Sequence, residues 1–390
     1  MRVLHVGKFY PPFAGGMEYF LADLMRAQQA QGLEVAALVH DEGPGWRGSN
    51  PAPADPPPRI YRAPCLGRLL YVPLSPSFPA WLNRVIRDFA PDVLHLHLPN
   101  TSAFGAFLLP RARRLPWVVH WHADVVASAI DRRLALAYGL YRPFEQGLLR
   151  RSRAIIATSP PYLAASQALQ PWRGRCVTIP LGLDPDRLAQ PDATSLTQAE
   201  ALWGPASLRV LAIGRLTYYK GHEVLIRASA SLPGVQTLIL GGGEYRPRLE
   251  RLIQTLDLGD RVRLTGYRTE AEVATLLASC DLLCLPSLER TEAFGLVLLE
   301  AMRYAKPVVV SDIPGSGAPW LVRRAQHGIL TPPGDAPALA AALAALQAHP
   351  ARRQQLGLAG ARALQGEFGI QPVAGAINQL YGRVLGDSWR

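Results

Sequence analysis

Short apolar runs alternate with longer stretches of helical periodicity from the first residues onward. RVLHVG (2–7) is followed by a helical pattern from about Gly16 to Gln31, then by LEVAALVH (33–40), DVLHLHL (92–98), WVVHWHA (117–123), RAIIAT (153–158) and RCVTIPL (175–181). Near-continuous apolar strands of this length, separated by helices, predict a parallel sheet covered on both faces. The stretch from Asp184 to Ala206, rich in Asp, Pro, Ser and Thr, interrupts the rhythm and predicts a linker. The rhythm then restarts with LRVLAIG (208–214), VQTLILGG (235–242), RVRLTGY (261–267), CDLLCLP (280–286) and KPVVVSD (306–312). A second doubly wound domain follows from that repetition, and the tail from Pro337 to Arg390 reads as helical. In such sheets ligands sit beyond the carboxyl ends of the strands, so the loops after these strands are where chemistry is expected.

Composition narrows the picture without changing it. With 49% hydrophobic and 18% charged residues among 390, the chain is of ordinary globular composition, large enough for two or three domains. The proline-rich piece NPAPADPPPR (50–59) predicts a surface loop. The four cysteines suggest neither a disulfide framework nor a metal site, which fits a reducing compartment. No stretch is long and apolar enough to span a membrane, and the chain opens on a strand without a signal-peptide pattern, so a cytoplasmic protein is expected.

The net charge of +11 is unevenly spread: residues 1–185 hold 20 basic and 12 acidic residues, the remainder 21 and 18. Only Lys8, Lys220 and Lys306 are lysines, and the general preference for Arg fits base composition of the gene as well as it fits a binding surface. RARR (111–114) and LLRRSR (148–153) lack interleaved aromatic residues, so no nucleic-acid partner is expected.

Several loops carry candidate chemistry. KFYPPFAGGMEYF places Gly15 and Gly16 where a strand gives way to a helix, which suits either an anion at the helix N-terminus or a tight turn. In GRLTYYKGHEVL, Arg215 and Lys220 flank a turn before a helix starting near Gly221, two cations suited to a diphosphate. In ERTEAFGLVLLEAMRYAKP, Glu292 and Glu300 are eight residues apart across a predicted helix start at Phe294 and Gly295. A helix would separate them by about 12 Å of rise. Glu300 lies among apolar neighbours and needs a partner or a ligand hydroxyl. WVVHWHADVVAS clusters His120, His122, Asp124 and Ser128. The two rings share a strand face and no third ligand has recognisable spacing, so no metal is expected. His120 reads as a core histidine held by a backbone carbonyl, and His122, at the strand end, as the one to meet substrate; His95 and His97 are assigned to the sheet.

Taken together, GGME (15–18), HAD (122–124), GRLTYYKG (214–221) and the Glu292–Glu300 spacing resemble the retaining glycosyltransferases of family 4 type with the GT-B fold, nearly end to end. The resemblance implies an α/β chain of two Rossmann-like doubly wound domains facing a cleft. Residues 1–185 would be the acceptor side, 186–206 the linker and 207–371 the nucleotide-sugar side, with a helix at about 372–390 packing back on the first domain. It implies that Arg215 and Lys220 neutralise the donor diphosphate, Glu300 binds the ribose and Glu292 the transferred sugar. Backbone N–H groups at Phe294, Gly295 and Leu296 would touch sugar and phosphate, Gly16 the phosphate, and Tyr267 and Arg268 the base. His122 would be catalytic together with Glu292, with Glu18 orienting its loop and Asp124 beside the site.

The implied activity is transfer of a hexose, mannose from GDP-mannose, to a lipid-linked saccharide in bacterial surface-polysaccharide synthesis, without cofactor or metal. The basic first half would then suit docking on the anionic inner face of the membrane, with a solvated helix face as the competing explanation. A UDP-hexose donor, a nucleotide-sugar epimerase and a non-enzymatic basic binding protein are the alternatives.

Overall fold

The computed structural model describes residues 1–13, 15–44, 48–50, 58–69, 72–125 and 132–386. Ser128 and most of the 50–59 piece lie outside them. The chain divides into two units, residues 1–182 with 370–390, and residues 183–369.

The first unit holds a seven-stranded sheet of β1 (Arg2–Val6), β2 (Glu34–Pro44), β3 (Arg59–Cys65), β6 (Val93–Leu98), β7 (Trp117–Trp121), β8 (Ala154–Ala157) and β9 (Cys176–Thr178). The short strands β4 (Arg68–Leu69) and β5 (Val72–Pro73) form a separate hairpin. The sheet order is β3-β2-β1-β6-β7-β8-β9 with every pair parallel. β6, β7 and β8 are buried along their whole length, as apolar runs covered on both faces require. The helices are α1 (Gly16–Ala30), α2 (Phe78–Phe89), α3 (Pro110–Arg114), α4 (Arg132–Arg151) and α5 (Pro160–Ala165).

The second unit holds β10 (Leu208–Ile213), β11 (Val235–Leu240), β12 (Val262–Gly266), β13 (Leu282–Leu285), β14 (Val308–Ser311) and β15 (Gly328–Thr331), in the order β12-β11-β10-β13-β14-β15, again all parallel. Its helices are α6 (Ala193–Trp203), α7 (His222–Ala230), α8 (Arg246–Thr255), α9 (Glu270–Ser279), α10 (Leu296–Arg303), α11 (Gly317–Ala325), α12 (Ala336–Ala348) and α13 (Pro350–Gln365). Leu208, Val210 and Ala212 of β10 pack with Leu225 and Ile226 of α7 and Leu343 and Leu346 of α12 in a continuous core. In both sheets the strand order reverses once, between β1 and β6 and between β10 and β13, and the crevice at such a reversal is where this topology places ligands.

Two expectations change. The stretch 186–206 is part of the second unit: Asp192 caps α6 by accepting from the Ser195 N–H at 2.7 Å, and Trp203 at its end is fully buried. The Asp, Ser and Thr that suggested a linker include capping chemistry instead. The boundary accordingly falls between Gly182 and Leu183, and the last helix, α14 (Ile370–Gly386), belongs to the first unit, where it packs on α1.

Candidate functional site

The two loops that flank the reversal in the second sheet meet. After β10 the chain turns through Tyr218–Lys220 to Gly221, whose φ of +64° places its Cα so close to the next loop that a Cβ would lie 2.0 Å from the Pro286 carbonyl oxygen. Only glycine fits there. The Leu288 N–H donates to the Tyr219 carbonyl at 2.7 Å and stitches the loops together. This brings Lys220 Nζ within 2.6 Å of Glu292 Oε2, which also accepts from Ser287 Oγ at 2.9 Å. Both side chains of the pair are largely buried, 14% and 9% exposed. Burial alone would lower the Lys220 pKa; the Glu292 carboxylate together with Tyr219 more than offsets it, and the ammonium ends above its ordinary value. Ser316 Oγ donates to the Glu292 carbonyl, which fixes the backbone as well.

Glu292 stands ahead of α10, not on it. Its N–H closes a turn on Glu289, and Gly295, with φ of +80°, caps a helix that begins only at Leu296. The helical separation of about 12 Å between Glu292 and Glu300 therefore does not apply. No side chain caps α10 and the Leu298 N–H already donates to the Gly295 carbonyl at 2.9 Å, so the N–H groups of Leu296 and Val297 are the ones its N-terminus offers. The Phe294 side chain is buried, which leaves its backbone as the part able to touch a ligand.

Glu300, on α10, has the partner its apolar surroundings demanded. Arg187 Nη2 lies 3.3 Å from Glu300 Oε1, and its Nη1 lies 2.5 Å from Glu270 Oε1. Burial raises the Glu300 carboxyl above the usual range against the pull of Arg187. The 184–190 segment is held along α10 by Arg303 Nε on the Pro185 carbonyl at 2.6 Å and the Tyr304 hydroxyl on the Ala189 carbonyl at 2.8 Å.

Arg215 is exposed on the loop after β10, near enough to Lys220 for the two charges to act on each other. Tyr267, 80% exposed, lays its ring against Gly242 in the glycine run after β11. Arg268 turns away: it pairs with Glu272 at 2.9 Å and lines a groove between α6 and α9, so the structure does not bring it to Lys220 and Glu292.

In the first unit, Gly16 opens α1 after the extended cap Gly15. The buried Glu18 folds its carboxylate onto Gly15, where a Cβ would overlap it, and burial raises its pKa. Asp124 ties its loop to α5: its carboxylate accepts from Trp121 Nε1 at 2.8 Å and Ser166 Oγ at 2.7 Å, and its N–H donates to the Tyr162 hydroxyl at 2.6 Å.

The parallel registers His5 to His95 and His97 to His120 put five histidines, with His122, on one sheet face under Phe20 and Tyr381. His122 Nε2 and His97 Nδ1 are 2.9 Å apart, His97 Nε2 and His5 Nδ1 3.0 Å, and His5 Nε2 and Gln28 Oε1 2.8 Å. Burial holds His5 down to about 4 and His122 to about 3, with His95, His97 and His120 well below the usual histidine value. Ring nitrogens of His5, His95 and His97, and of His97, His120 and His122, lie within 4.8 Å of one another, close enough to be candidate metal ligands. Both His97 nitrogens, however, are already engaged with neighbouring rings. His120 differs from expectation: no backbone carbonyl holds it, and neither ring nitrogen has a partner among the described residues. It is kept by stacking, with ring centroids 4.3 Å from His122 and 5.5 Å from His97.

Ser287, Arg187 and Gln28 were not legible as site residues. Arg187 and Gln28 act on partners distant in sequence, Ser287 acts on Glu292 five positions on, and no local pattern marks any of them.

Residues 199–362 match the glycosyl transferases group 1 model and residues 15–182 the glycosyl transferase 4-like domain. The chain is 30% identical to a phosphatidyl-myo-inositol mannosyltransferase of Mycobacterium leprae (strain TN), over 98% of this chain and 96% of that one. It is 29% identical to the O-antigen chain mannosyltransferase C of Escherichia coli, over 99% of each. Among solved structures it resembles the sucrose-phosphate synthase of Thermosynechococcus elongatus, with a TM-score of 0.80, 26% identity and 99% of both chains covered.

Proposed function

Because the chain belongs to the GT4-type glycosyltransferases of the GT-B fold, we propose that it moves mannose from GDP-mannose to a lipid-linked saccharide with retention at the anomeric carbon. One observation carries the reading. Lys220, Glu292 and Ser287 converge beside the uncapped N-terminus of α10, at the strand-order reversal of the second sheet. A cation, helix N–H groups and a carboxylate in one place suit a sugar diphosphate, with the first two facing phosphate oxygens and the last accepting sugar hydroxyls. Glu300, one turn along α10, is placed to accept ribose hydroxyls, and Arg187 beside it opposes the effect of burial on its carboxyl.

The C1–O bond to the diphosphate breaks as negative charge grows on the leaving group, and Lys220, Arg215 and the α10 N-terminus stabilise that charge. The acceptor oxygen bonds C1 on the face the diphosphate leaves, and its proton passes to a diphosphate oxygen. Fixed protein charges supply the stabilisation, so no metal is required. Mannose is favoured by the names of the two relatives, and GDP-mannose by the residue-level resemblance.

Docking of the first unit on an anionic membrane has support of its own. Leu108, Leu140 and Phe144 are exposed apolar side chains around the 101–108 segment, next to Arg111, Arg113 and Arg114 of α3. Each well-placed cation adds about 1 kcal/mol there. No helix among the described residues is long and apolar enough to cross a membrane.

A thermal-shift screen of GDP, UDP, ADP and their common sugars tests the donor, since a ligand at a hundred times its Kd stabilises by about 2.7 kcal/mol. GDP and GDP-mannose should dominate; UDP ahead of GDP would overturn the donor. Glu292→Gln should abolish transfer by the folded protein in an assay containing chelator, and strict Mg²⁺ dependence of the unaltered enzyme would overturn the metal-free route.

A further inference from the structure

The histidine row of the first unit has a direction, and a backbone carbonyl sets it. The Gln371 carbonyl can only accept, so Gln31 presents Nε2 to it at 2.9 Å. Gln31 Oε1 then accepts from Asn378 Nδ2 at 2.8 Å, which leaves Asn378 Oδ1 to accept from Gln28 Nε2 at 3.0 Å. The Tyr381 hydroxyl also accepts from Gln28 Nε2, at 3.2 Å, and donates to His95 Nδ1 at 2.5 Å. With its nitrogen committed, Gln28 turns Oε1 to His5, so His5 carries its proton on Nε2. A neutral ring has one N–H; the bare His5 Nδ1 must accept from His97 Nε2, and the bare His97 Nδ1 from His122 Nε2. The row ends at His122 Nδ1, a bare lone pair with no partner among the described residues. Burial keeps all three rings neutral, so the one-proton argument holds along the whole row.

We infer that Gln28 is a positioning residue: its amide, oriented by α14, holds His122 in the Nε2–H tautomer, whose bare Nδ1 accepts a hydrogen bond from a sugar hydroxyl. This rests on His122 meeting substrate, as the proposed transferase reading has it. The opposite tautomer would present a donor at the same atom and repel a hydroxyl proton. Residues of α1 and of a helix some 350 positions away thus set the hydrogen-bonding sense of a ring at the end of β7.

The test is long-range ¹H–¹⁵N correlation on the full chain with ¹⁵N-labelled histidine, read beside transferase kinetics. Unaltered protein at neutral pH should show His5, His97 and His122 protonated on Nε2. Gln28→Met removes the acceptor and should mix the tautomers along the row. It should lower kcat by about tenfold, the lower end for loss of a partner that orients a functional histidine, with donor KM nearly unchanged. Gln28→Glu keeps an acceptor on His5 and should restore the tautomer and most of the rate. A proton on His122 Nδ1 in the unaltered protein overturns the proposal even if no variant folds, as does a Gln28→Met spectrum that stays unchanged. If the spectra shift as expected while His122→Ala transfers at the full rate, it is the substrate contact that fails, and the two failures are told apart.

Discussion

Deleting the Lys220 charge tests the centre of the second unit, and Lys220→Met does so while keeping most of the stem. At 2.6 Å the attraction between Lys220 and Glu292 is about 6 kcal/mol gross at an effective dielectric of 20, which largely offsets the cost of desolvating two side chains 14% and 9% exposed. The net contribution of the pair is therefore small, but breaking it is not, because Glu292 is left charged and buried. Such losses run to about 3–5 kcal/mol. The lower end is expected here, since the Ser287 hydroxyl still donates to the same oxygen at 2.9 Å. Glu292→Gln should cost about 2 kcal/mol by stranding the ammonium, and the double variant should recover about 2 kcal/mol of the summed losses. The measurement is urea unfolding at pH 7 followed by tryptophan emission, with Trp203 and Trp320 reporting on the second unit. Additivity to within about 0.5 kcal/mol would refute the pairing. The pH course is a second check. The Lys220 pKa is raised in the folded state, so the coupling should hold from neutral pH up to about 10.4, the ordinary lysine value, and fade as pH rises through the higher folded value. Loss of coupling between pH 7 and that value would contradict the assigned partner.

Two further outcomes are expected. The five histidines of the first sheet are depressed by burial, so the unfolded chain binds more protons below about pH 6.5 and stability should fall from there toward pH 4, by up to about 1.4 kcal/mol per ring per pH unit; a urea midpoint of the first unit that stays flat between about pH 7 and 5 would rule this out. Arg187→Ala should destabilise the second unit by about 3 kcal/mol, because Glu300 loses its cation in a buried site. That loss should shrink as pH falls through the raised Glu300 pKa, since the protonated acid needs no cation, and a pH-independent loss would point to packing alone.

The strands buried on both faces were legible because their apolar runs are nearly continuous: β1, β6, β7, β10, β11, β13 and β14 coincide with the runs that predict them. β3 and β15 were not, and both are edge strands. RIYRAPC carries two arginines and a proline and reads as the end of a polar loop, and GILT is too short to stand out. An edge strand has one solvated side, so its sequence need not be apolar. The candidate site was legible as residue types at strand-to-helix junctions. Which of them touch was not, because Lys220 and Glu292 are 72 positions apart and Arg187 and Glu300 are 113 apart.

By itself the sequence determined the repeated α/β plan, the loops that carry chemistry and the family of the chain, because apolar periodicity and glycine placement act over a few residues and need no knowledge of the partner element. Only the tertiary structure decided that Lys220 already holds Glu292, that Glu300 rests on Arg187, and that Asp124 is taken up by Trp121 and by Tyr162 and Ser166 at α5. It alone decided that five histidines share one face and that Gln28 heads the hydrogen-bonded row of three of them, His5, His97 and His122. Charge pairing and tautomer choice depend on distances of about 3 Å between residues remote in sequence, and strand register and helix docking set those distances.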